Sequence, residues 1–152
     1  MKVMDQFLKE FSPDDVIWLQ QAARVTLCGS ARFEQDFHRV SEELTLNGIV
    51  VYSLAVFPST HAGQKDWYTD AQKDTLDLVH MAKIVHSDAV VVLDRDGYVG
   101  ESTSREVVFA KAINRQVFYL EGPPNYRQII DGRDILRRGR TPYDITITGA
   151  TS

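Results

Sequence analysis

Asp88 to Leu93 reads DAVVVL, an acidic residue followed by an unbroken apolar run with three valines at its centre. A run this short, β-branched and without polar alternation suits a strand covered on both faces, as in a parallel sheet between helix layers. Arg24 to Cys28 (RVTLC) and Gln116 to Leu120 (QVFYL) have the same character, and Ile49 to Tyr52 forms a shorter segment of the kind. Between these runs the period changes. Phe33, Phe37, Val40 and Leu44 recur at helical spacing and predict a helix over Arg32 to Asn47, with Gly48 placed to end it. Leu76, Val79 and Ile84 predict a second helix over Tyr68 to His86. Val107, Val108, Ala110, Lys111 and Ile113 predict a third over Ser102 to Asn114.

Strands alternating with helices imply right-handed βαβ crossovers. The expected fold is α/β, a flavodoxin-like (Rossmann-like) three-layer arrangement around a parallel sheet of four to five strands. The nucleoside- or nucleotide-binding domain is expected over 24–122. A helical extension precedes it over 1–23, where Ser12-Pro13-Asp14-Asp15 reads as an N-cap, a proline at the first helical position and acids favoured by the helix dipole. A partly irregular extension follows over 123–152, with a short helix near Tyr126 to Asp131 and a basic stretch from Arg133 to Arg140.

Composition narrows the function. A chain of 152 residues fits one domain, and its net charge of −4 argues against a protein built to coat a nucleic acid polymer. The single cysteine, Cys28, excludes an internal disulfide and suits a reducing compartment. No signal peptide or membrane span is expected, so the cytoplasm is the expected location. The four histidines lack metal-site spacing, and neither a metal nor an organic cofactor is expected.

In open parallel sheets ligands sit beyond the carboxyl ends of the strands. That rule gathers three loops: the turn at Cys28-Gly29-Ser30, the segment from Ser53 to Trp67, and Asp94 to Thr103. Gly29 permits close backbone approach and, with Ser30, opens a helix whose free N–H groups suit an anion or a sugar hydroxyl; Arg32 adds charge. The same residues also serve plain turn geometry. The segment from Ser53 to Trp67 has Pro58, Gly63 and too few periodic apolar residues to anchor it, the profile of a mobile or functional loop. Tyr52, Phe57, Trp67 and Tyr68 flank it, as core residues or as stacking partners for a base. Asp94 and Asp96 fit either ribose hydroxyls or a turn. Gly97, Tyr98, Gly100, Ser102 and Thr103 complete the candidate binding set. Glu106 has two readings as well: a nucleophile towards an anomeric carbon, or the last member of a capping box begun at Thr103.

VTLCGSAR together with SREVVFAKAINRQVFYL resembles the nucleoside 2-deoxyribosyltransferase superfamily, which includes 2′-deoxynucleoside 5′-monophosphate N-glycosidases. The matching residues are Cys28, Gly29, Ser30 and Arg32, then Ser87 to Val92, then Glu106, then Asn114 to Val117, within a span of about Arg24 to Leu120. The resemblance implies that Glu106 is the nucleophile in cleavage or transfer of an N-glycosidic bond. The family commonly has an aspartate on the helix before the third strand; His80 stands in that register here, with Asp77 nearly one turn earlier. At the loop position six residues before the glutamate this chain has Gly100, with Ser102 or Thr103 as substitutes. The resemblance further implies a homodimer or larger assembly and a small-molecule nucleoside or nucleotide partner. A non-catalytic nucleotide-sensing module and an NAD-type glycosidase remain the alternatives.

Overall fold

The computed structural model describes residues 5, 6, 9–64 and 66–132; the basic stretch expected at Arg133 to Arg140 lies outside them. The chain forms α1 (Pro13–Gln21), β1 (Arg24–Cys28), α2 (Glu34–Leu46), β2 (Val50–Tyr52), α3 (Asp70–Val85), β3 (Ala89–Val92), α4 (Glu101–Ala112), β4 (Gln116–Tyr119) and α5 (Arg127–Asp131). The four strands make one all-parallel sheet in the order β2-β1-β3-β4. This is the flavodoxin-like α/β fold expected from the alternation.

The apolar alternation within each strand sends side chains to two helix layers. Val25 and Leu27 of β1, with Ala89, Val91 and Leu93 at β3, pack against Phe37, Val40 and Leu44 of α2 and Ile129 of α5. On the opposite face Cys28 and Val90 meet Ile84 of α3, Ala110 of α4 and Ile113. All four residues of β3 are buried, which is why its sequence shows no polar alternation. Burying each such valine or leucine contributes about 1.5–3 kcal/mol, so the two central strands carry the core. Past residue 122 the chain rejoins that core through Tyr126 and Ile129, both almost completely buried.

Local signals set the helix starts. Ser12 caps α1 with Pro13 behind it, and Ser12 and Asp15 form a reciprocal capping box. Thr69 and Gln72 do the same for α3. Gly48, at φ +79°, turns the chain out of α2. The box expected at Thr103 to Glu106 is absent: α4 begins at Glu101 with Gly100 as N-cap and no side-chain cap bond. Thr103 is therefore inside the first turn and buried, and Glu106 is free of any capping task. Among the described residues no helix is long and apolar enough to cross a membrane.

Candidate active site

β1 and β3 lie side by side, with Cys28 opposite Val92. From this pair the strand order departs in opposite directions, to β2 on one side and β4 on the other, so the connections leaving the two strands diverge. The opening between them is a cavity of about 660 Å³, within the range of about 300–1,000 Å³ that holds a small organic ligand.

Each wall comes from one element. Gly29, Ser30 and Arg32 supply the turn after β1, where the Ser30 side chain accepts from the Arg32 N–H (3.3 Å). Gly100, Ser102 and Thr103 supply the start of α4, whose first N–H groups carry the positive end of the helix dipole. Arg32 spans these two walls: its guanidinium lies 4.1 Å from the centre of the Tyr98 ring and donates to the Tyr98 hydroxyl (3.3 Å). The third wall is one face of α3, where Leu76, Asp77, Val79, His80 and Lys83 follow helical spacing. Leu54 to Ser59 and Trp67 form the fourth wall. Phe57 pins it edge-on to Phe37 (5.6 Å between centroids), and His61 stacks on Trp67 (3.6 Å, 13°). Phe57 thus supplies the apolar anchor that periodicity did not reveal, while Trp67 and Tyr68 face the cavity.

Glu106 and His80 form the floor, with Cys28 beneath them. The Glu106 carboxylate is 14% exposed and lies 3.5 Å from His80 Nε2, itself 6% exposed. The Cys28 thiol, fully buried, lies within 4.8 Å of both. Burial pushes the Glu106 carboxyl up to about 7; the Cys28 thiol pulls it down, nearby Asp77 adds to the rise, and the more distant Arg105 and Lys73 oppose it. Burial likewise holds His80 down to about 4, with Lys83 adding to the effect. Near neutral pH the imidazole is uncharged, so its contact with Glu106 is not an ion pair. Among the described residues neither ring nitrogen of His80 has a hydrogen-bond partner.

Three expected binding residues lie elsewhere. Asp94 is buried and accepts from the N–H groups of Glu121 (2.8 Å) and Gly122 (3.0 Å), tying the end of β3 to the chain after β4. Its role is the turn. Gly97, at φ +74°, supplies the left-handed turn beside Asp96 and does not line the cavity. Cys28 lies below the floor and touches the site only through Glu106. Gly29 has a packing reason of its own: a Cβ there would come within 3.1 Å of Leu93 Cβ, so its lack of a side chain is no proof of ligand approach.

Sequence reading also missed residues. Leu76 and Val79, read from sequence only as marks of a helical period, line the cavity, while Ile84 with Met81 and Val85 packs on the sheet. Lys83, whose Nζ donates to the Ser53 carbonyl (2.7 Å), joins α3 to the loop and was not anticipated. Its signal was the three-residue spacing Asp77, His80, Lys83, a polar stripe beside the apolar one. No protein-family model, curated protein or solved structure matches the chain.

Proposed function

We propose that this protein cleaves or exchanges the N-glycosidic bond of a nucleoside or nucleotide, with Glu106 as the nucleophile. One observation carries the reading: a carboxylate that, among the described residues, has no Lys or Arg ion-pair partner lies at the floor of a nucleoside-sized cavity. A carboxylate that forms no close ion pair with a Lys or Arg keeps its lone pairs free for attack. The N–H groups at Gly29-Ser30 and at the start of α4 would hold sugar hydroxyls or a phosphate, and Arg32 stands at the rim for added charge. Trp67 and Tyr68 offer faces for the base. Asp77 lines the cavity and would hydrogen-bond a sugar hydroxyl, and neutral His80 lies 3.5 Å from the Glu106 carboxylate.

In this mechanism a Glu106 oxygen attacks the anomeric carbon as the carbon–nitrogen bond breaks. The electron pair leaves with the base, which takes a proton from water at the cavity mouth. The resulting glycosyl ester is resolved by water, releasing the sugar, or by a second base, completing a transfer. A non-catalytic nucleotide-binding module is the second reading, favoured by His80 at the position where the resembling family commonly has an aspartate. Incubation with a panel of nucleosides, nucleotides and NAD, followed by chromatography for free base, separates the two. Base release that Glu106→Gln abolishes supports the enzyme; tight binding without release supports the module.

Assembly belongs to the same proposal. α3 and α4 leave Leu78, Val79 and Val108 exposed, and Val79 also lines the cavity. A second copy would cover these residues and narrow the mouth. Light scattering at micromolar concentration is expected to give a dimer or larger species, and a strict monomer would remove this part of the reading.

A further inference from the structure

Cys28 ends β1, His80 lies on α3 and Glu106 on α4, so three separate elements bring a thiol, an imidazole and a carboxylate together. One potential ligand atom from each lies within 4.8 Å of the other two. Tetrahedral zinc, with bonds of about 2.0–2.3 Å, holds neighbouring ligand atoms about 3.3–3.7 Å apart. The 3.5 Å between His80 Nε2 and Glu106 Oε2 is already in that range. A second observation points the same way: His80 is 95% buried by its 5% residual exposure, yet neither ring nitrogen has a hydrogen-bond partner among the described residues. A buried imidazole without a partner is destabilising, a deficit that a bound ion would remove.

We infer that Cys28, His80 and Glu106 form a three-ligand site for a zinc-class divalent ion, with its fourth position open to the cavity. The donor set fits that ion class. Thiolate and imidazole select zinc or cobalt over magnesium or calcium, and three protein ligands plus one open position is the pattern of reactive rather than structural zinc. Charge also balances. As the ion enters, the Cys28 thiol gives its proton to solvent. One thiolate and one carboxylate then cancel the two positive charges, leaving a neutral site in a low-dielectric floor. The site goes beyond the glycosidase proposal and competes with it, because an ion on Glu106 occupies the lone pairs that attack would need.

Cobalt(II) titration of the purified full chain tests the site without any nucleoside. The expected result is one ion per chain, a near-ultraviolet sulfur-to-cobalt charge-transfer band and visible bands of tetrahedral intensity, all displaced by zinc. Cys28→Ser should abolish the charge-transfer band, and both Cys28→Ser and His80→Leu should weaken zinc binding in calorimetry by about tenfold or more. If neither variant changes zinc affinity, or if cobalt gives no thiolate band in the wild-type chain, the inference is overturned. Should one variant fail to fold, the other still decides the point. Loss of N-glycosidase activity on adding zinc, and its return with a chelator, is a further expected result that alone rests on the proposed activity.

Discussion

Two acidic regions beyond the end of β3 have opposite physical characters. Around Asp94 every group is answered. Its carboxylate accepts two N–H groups, and Arg95 next to it reaches both Asp36 (3.0 Å from Nε) and Glu121 (3.2 Å). The Arg95 guanidinium accordingly holds Asp36 below the usual carboxylate range. Around Glu106 the groups are buried but unanswered: its carboxyl is pushed up, the imidazole beside it is pushed down, and neither ring nitrogen has a hydrogen bond among the described residues. A satisfied buried network stabilises a turn; an unsatisfied one lowers stability unless something outside the chain completes it. Proximity to a strand end does not distinguish the two, whereas partner satisfaction does.

Substitutions should move the two regions in different observables. Glu106→Gln has the largest expected effect: turnover falls by about 10³-fold or more, as for loss of a nucleophile, while the unfolding free energy changes by no more than about 1 kcal/mol. Activity near the wild-type value would end the nucleophile assignment. Asp94→Ala should act in reverse. It leaves the Glu121 and Gly122 N–H groups without their acceptor, and urea denaturation should register a loss of about 2–3 kcal/mol with ligand affinity retained in the folded protein. An unchanged midpoint would mean that water replaces the carboxylate there. His80→Leu gives the smallest change. Removing an unpartnered imidazole in favour of a side chain of similar size should cost less than about 0.5 kcal/mol and can raise stability. A large destabilisation would instead assign His80 a structural bond, and the contrast between the regions would lose its basis.

The legible parts of the fold were those written in local periodicity. The β3 run, the Phe37-Val40-Leu44 stripe and the caps at Ser12 and Gly48 each act within a few residues, so their elements fall where expected to within about two positions. Glu106 and the Gly29-Ser30 turn were singled out from sequence and do meet at one cavity. Less legible was the choice among polar residues. Asp94 and Glu106 both follow β3 closely, and only the partners brought by the chain after β4 make one of them structural. The Thr103 to Glu106 box failed because Gly100 caps α4 three residues earlier, with no side-chain cap bond.

Sequence by itself determined the alternation of strand and helix and the parallel sheet, because hydrophobic period and capping are short-range chemistry. Tertiary structure decided which face of α3 looks into the cavity, that Asp94 caps a turn, and that Cys28 comes to lie beneath His80 and Glu106 at the floor. Cys28 stands 52 positions before His80, and His80 26 before Glu106; a sheet with crossing helices brings such residues together through long-range packing, which no local spacing encodes.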